Sequence, residues 1–97
     1  MNTEIKQPIL RNAQELAKQF PKTFEVPEWA ELHNLAVGDF AKICCGQERF
    51  WVVIDRITPH DYEGIINNDL VYTDDHQLKD GDLVSFQATN VYSILKK

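Results

Sequence analysis

Nothing in this sequence is apolar for the roughly 18–20 residues that crossing a bilayer requires. The opening Met1-Asn2-Thr3-Glu4-Ile5-Lys6-Gln7-Pro8 lacks the apolar core of an export signal. The expectation is a soluble, cytoplasmic protein with no membrane partner. Lysine and arginine are few and dispersed, ten against fifteen acidic residues, for a net charge of −5. Phosphate recognition needs clustered cations that displace counterions, so direct binding of nucleic acid is not expected. There are two cysteines, Cys44 and Cys45, and they are adjacent. Neighbours on a strand face opposite ways, which makes a disulfide between them strained. Free thiols suit a reducing compartment, one in the core and the other exposed or under a helix. No CxxC and no repeated Cys/His spacing occurs, so no zinc site and no cofactor is expected. Four scattered glycines, Gly38, Gly46, Gly64 and Gly81, read as turns and not as a phosphate-binding loop.

The 97 residues suffice for one domain, spanning 1–97, and not for two. Its first part, 1–36, reads as helical. Ile9, Leu10, Ala13, Leu16, Ala17 and Phe20 recur at helical spacing and predict an amphipathic helix over Pro8–Phe20, stopped by Pro21. After a brief alternation at Thr23-Phe24-Glu25-Val26, Pro27–Leu32 reads as a short second helix packing through Trp29, Leu32 and Leu35. From residue 37 to 97 the period changes to two. Strands are predicted at Phe40–Cys45, Arg49–Ile57, Tyr62–Asn67, Leu83–Gln87 and Val91–Leu95. Two of them are opened by Gly-Asp pairs, Gly38-Asp39 and Gly81-Asp82. In Phe50-Trp51-Val52-Val53-Ile54 both faces are apolar, so the strand is expected to be covered twice, by the sheet interior and by the N-terminal helix. The alternative is that Trp51 lines a ligand groove. The predicted fold class is α+β: an N-terminal amphipathic helix and a short second helix packed on a five-stranded, SH3-like bent antiparallel sheet or small barrel.

Charge is concentrated in residues 55–82, where Asp55, Asp61, Glu63, Asp69, Asp74, Asp75, Asp80 and Asp82 face only Arg56 and Lys79, a net of −6. One reading is a solvated face that aids solubility. The other is an electrostatic docking surface for a basic protein. Tyr62, Tyr72 and Tyr92, with polar tips, are the aromatic residues best suited to exposure, although a domain of this size needs most large side chains for its core. The candidate protein-binding residues are therefore Tyr62, Glu63, Asp69, Tyr72, Asp74 and Asp75.

Three segments bear a likeness to a known family. They are Glu48-Arg49-Phe50-Trp51-Val52, then Gly64 with Asn67-Asn68-Asp69-Leu70, then Leu78-Lys79-Asp80-Gly81-Asp82-Leu83-Val84-Ser85-Phe86. In order they resemble the E-x-x-W-V strand, the G-x-[IL]-x-N turn and the L-x-x-G-D-x-V-x-F strand of the uncharacterised bacterial proteins grouped as domain of unknown function 2314. Gln77 stands where those proteins often have glycine. The resemblance spans about half the chain and implies a small α+β or barrel-like domain; it implies no activity.

Thr73-Asp74-Asp75-His76 contains metal-ligand types, yet lacks the spacing and glycine of an EF-hand. It reads as one helical turn capped by Thr73, with Asp74 and Asp75 at its positive end. Cys44 or Cys45 as a nucleophile needs an activating base that His33, His60 or His76 would have to supply through the fold. The functional expectation is a non-enzymatic protein-binding module using its acidic surface. The alternatives are an acidic inhibitor or immunity-type protein that blocks a basic site, and a metal- or cysteine-dependent enzyme. The sequence leaves monomer and homodimer equally open.

Overall fold

The sequence writes one five-residue device twice, Leu35-Ala36-Val37-Gly38-Asp39 and Leu78-Lys79-Asp80-Gly81-Asp82, and the chain folds both copies alike. In the computed structural model, which describes residues 4–22 and 25–97, each leucine is buried and each glycine takes a positive φ, 95° at Gly38 and 91° at Gly81. That conformation is open to glycine at no steric cost. Each aspartate is buried and reaches back three residues. The Asp39 carboxylate accepts the Ala36 N–H at 2.9 Å, and that of Asp82 accepts the Lys79 N–H at 3.1 Å. A lysine ammonium completes each turn, Lys96 at Asp39 and Lys6 at Asp82.

These turns launch the second and fifth strands of a sheet whose members are β1 (Ile5–Lys6), β2 (Phe40–Cys45), β3 (Glu48–Ile57), β4 (Tyr62–Ile66), β5 (Leu83–Phe86) and β6 (Ser93–Leu95). Their spatial order is β1-β5-β4-β3-β2-β6. β2 to β5 form an antiparallel meander, β6 adds antiparallel to β2, and β1 adds parallel to β5. The helices are α1 (Ala13–Gln19), α2 (Trp29–His33) and α3 (Thr73–His76), with a 3-10 turn at Ala88–Asn90. Among the described residues no helix is long and apolar enough to cross a membrane.

Alternation decides the core. Ala41, Ile43 and Cys45 of β2, Phe50, Val52 and Ile54 of β3, Ile66, Val84 and Phe86 share the inner face of the sheet. Leu32 and Leu35 from α2 and its following turn, with Leu78 and Val91, close that face. Gly64 belongs to it too; a Cβ there would lie 3.0 Å from Val52 Cγ2 and 3.1 Å from the Val53 carbonyl oxygen. A smaller cluster forms on the other face, where Ala13 and Leu16 of α1 and Val26 cover Cys44 and Tyr92.

The α+β class and the five predicted strands are present, and the details require corrections. The sheet has six strands and is open, with one parallel pair, where five antiparallel strands were expected. The extra strand, Ile5–Lys6, is too short to display a period, and it lies in the part of the chain read as helical. The first helix starts at Ala13 and not at Pro8. A bridge between Leu10 and Cys45 and the Arg11 N–H donated to the Cys44 carbonyl hold that segment extended. Asn12 then caps the helix by accepting the Glu15 N–H at 3.0 Å. Ile9 and Phe20, counted on the buried stripe, are exposed, as is Trp29. The helix anchored at Cys44 is seven residues long, about 10 Å, and it shields Cys44 and Tyr92. Trp51 lies outside that cluster, half-buried, with the Lys42 ammonium 5.5 Å from its ring centroid. The Thr23-Phe24 part of the predicted alternation lies outside the described residues.

Candidate functional site

Glu48 opens β3 on the same side of the strand as Phe50, Val52 and Ile54, so alternation carries a carboxylate into the core face. An ion there is tolerated only with strong partners. The connection between β4 and β5 supplies them. Glu48 Oε2 accepts the Val71 N–H at 2.7 Å, and Oε1 accepts the Tyr72 N–H at 2.9 Å. The ring of His76 completes the set, with Nε2 2.9 Å from Oε1. Burial pushes the Glu48 carboxyl up, but the Tyr72 and Val71 amides and the His76 ring outweigh it and hold the group below its ordinary value.

The histidine is fixed from both sides. Its Nδ1 accepts the Leu78 N–H at 3.0 Å, so that nitrogen carries no proton and Nε2–H is the donor to Glu48. With both ring nitrogens engaged, His76 presents neither a lone pair to a metal nor a base to a thiol. Among the described residues no group of three His, Cys, Asp or Glu side chains is placed to hold a metal ion. Burial and the neighbouring Cys44 push the Cys45 thiol up, away from the thiolate a nucleophile needs.

The loop between β4 and β5 is tied at both ends. Asn68 accepts the Trp51 N–H at 3.2 Å and donates its own N–H to Asp80 at 3.0 Å. The Gly81 N–H reaches the Ile66 carbonyl at 2.8 Å. The helical turn predicted at 73–76 is present as α3, but Tyr72 occupies the capping position, without a side-chain cap, and Thr73 lies inside. The Glu48 carboxylate instead holds the Val71 and Tyr72 amides, which lie just before the turn. Gln77 ends the turn at φ 62°, a left-handed conformation that favours glycine.

Four of the six candidate residues, Asp69, Tyr72, Asp74 and Asp75, are exposed on this one loop. The other two are elsewhere. Tyr62 turns into the core, its ring stacked 5.5 Å from Phe86 and its hydroxyl donating to the Leu32 carbonyl at 3.3 Å. Glu63 lies on the outer face of β4, near the end of the strand remote from the loop. The acidic segment also divides. Asp82 is buried against Lys6, and Asp61 accepts the Thr58 and Ser85 hydroxyls at 2.7 and 2.9 Å. The Thr58 and Ser85 bonds keep the Asp61 carboxyl below its ordinary value against the opposing effect of burial. Asp69, Asp74, Asp75 and Asp80 remain at the surface around the loop.

Sequence reasoning missed three contributors. Val71 is 82% exposed and Ile9 is 92% exposed, an unusual outlay of apolar surface beside Tyr72. Between Ile9 and Tyr72 opens a pocket of about 450 Å³ lined also by Pro8, Cys45, Asp75 and His76. The third is Glu48 itself. Its signal was legible as the one acidic residue at an inward position of an otherwise apolar strand.

No family model matches the chain, and neither does any curated protein or solved structure.

Proposed function

We propose that the chain is a non-enzymatic protein-binding module that works in the cytoplasm and docks a basic partner on its 69–75 loop. The observation that carries this reading is the grip of Glu48 on the Val71 and Tyr72 amides. It fixes the backbone from which Val71 and Tyr72 project between Asp69 on one side and Asp74 and Asp75 on the other. A loop held in place before binding loses less conformational entropy when a partner docks. The exposed carboxylates would steer a cationic surface toward it, and the apolar pair with the adjoining pocket would supply the anchors.

Two sequence readings enter the same proposal. Kinship with domain of unknown function 2314 is supported by the way its motif residues Glu48, Asn68, Leu78, Gly81 and Asp82 all serve to shape this loop. An SH3-like character is supported by the β2–β5 meander and its bulge between Ile54 and Arg56.

The test is affinity capture from the host's cytosol at low and high salt, comparing the chain with a Tyr72→Ala/Asp74→Asn/Asp75→Asn variant. The expected result is one basic protein retained stoichiometrically at low salt, released by high salt, and absent from the variant. If that partner is an enzyme silenced in the complex, the module is an acidic inhibitor or immunity-type protein. Identical proteins on both baits, or none on either, would overturn the assignment.

A further inference from the structure

The outer face of the sheet carries a row of apolar residues that runs without interruption through all six strands. Register places Ile5 beside Leu83, Leu83 beside Ile65, Ile65 beside Val53, Val53 beside Phe40, and Phe40 beside Leu95. With strands about 4.8 Å apart the row is on the order of 24 Å long. Ile5, Ile65 and Leu95 are 37%, 39% and 58% exposed, and Leu83, Val53 and Phe40 are partly so. The α1 cluster at Cys44 and Tyr92 does not include any of the six. A contiguous apolar row on a protein surface often marks a place where something docks.

The charges beside the row identify what covers it. On the flank nearer the β2–β3 hairpin lies Lys42, its ammonium over Trp51. On the opposite flank lie Asp55, at the bulge, and Glu63, with Arg56 between them. Among the described residues none of these four charged side chains is in an ion pair. A two-fold axis running along the apolar row turns each flank onto the opposite flank of a second copy. Lys42 of each chain then faces Asp55 and Glu63 of the other, and Arg56 of each lies over the Trp51 side of its mate.

We infer that this face joins two copies of the chain, sheet against sheet, in an isologous homodimer. The face is distinct from the loop at 69–75, so a dimer presents two docking loops at once. Glu63, grouped by its charge with the loop residues, belongs to this surface. The row is small against a standard interface of about 800 Å² per partner, so the dimer exchanges readily and forms in the micromolar range or above.

Sedimentation equilibrium from about 10 µM to about 1 mM tests the inference across that range of affinity. The expected result is a monomer–dimer equilibrium that Ile65→Lys shifts to monomer while the circular dichroism spectrum is kept. Charge exchange gives an independent arm. Lys42→Glu alone and Asp55→Lys/Glu63→Lys alone should each weaken self-association about tenfold or more through like-charge contacts. Mixing the two variants should restore dimers, because only the heterodimer recovers both complementary flanks. A monomer at every concentration, a dimer indifferent to Ile65→Lys, or a mixture no better than its components would overturn the inference. A monomer would leave the row to a different protein.

Discussion

Glu48→Ala is expected to lower the unfolding free energy by about 3 kcal/mol, a large share of what a domain of this size possesses. The substitution strands three part-buried donors together: the amides of Val71 and Tyr72 and the His76 Nε2–H. Each loses a charge-assisted partner, and the His76 side chain does so almost wholly out of water. Glu48→Gln keeps the shape and one acceptor oxygen but turns an NH2 group toward one of the three donors, so roughly half the loss is expected. Urea denaturation checks both. The midpoint should fall in the order wild type, Gln, Ala, with the slope unchanged. A Glu48→Ala midpoint within the error of the wild type would show that the loop does not depend on the carboxylate.

The second large effect is on acid stability. Lys96 and the backbone N–H groups of Lys97 and Ala36 hold Asp39 below its ordinary value of 3.8 although burial opposes them, and Glu48 is held below 4.5. A carboxyl with a lower pKa in the folded chain than in the unfolded one binds fewer protons when folded. Its stabilisation is complete above the unfolded value and is lost as pH falls through the folded one. The chain should therefore hold its stability from neutral pH to about 5 and lose it steeply below about 4. Asp39→Asn should cost about 2 kcal/mol at pH 7, because the Ala36 and Lys97 amides compete for one remaining acceptor oxygen. Its penalty should shrink as pH falls below 3.8, because the unfolded chain then takes up a proton at Asp39 that the folded chain binds less readily. Urea midpoints at pH 7 and pH 3 for the two proteins decide the matter. A penalty that grows on acidification would contradict the assignment.

Much of the sheet was legible because β-branched and aromatic residues mark it. Phe40–Cys45 was placed to the residue, and Glu48–Ile57 was missed only at its first position. Ile5–Lys6 was invisible, since two residues carry no period and its pairing with Leu83 and Val84 is made across the whole length of the chain. Helix α1 was overextended because Ile9 and Leu10 fit the helical spacing by coincidence. Main-chain bonds to Cys44 and Cys45 hold 9–11 as an extra extended segment, and no local pattern reveals a long-range bond. At the candidate site, the charges of Asp69, Asp74 and Asp75 were readable from composition. Tyr62 was misplaced because a tyrosine whose hydroxyl finds a buried carbonyl looks in sequence like an exposed one. The role of Glu48 depends on how the chain returns His76, 28 positions further along, to it, and only the fold decides that.

Amide hydrogen exchange on the free chain tests the central claim most directly. If Glu48 holds the docking loop in one conformation before any partner arrives, the Val71 and Tyr72 amides should exchange as slowly as the amides of the sheet, though both side chains are exposed. The amides of Asp69 and Asp74, which have no such acceptor among the described residues, should exchange quickly. Exchange at Val71 and Tyr72 as fast as at Asp69 and Asp74 would mean that the loop is not anchored, and the account of a preformed docking surface would fail with it.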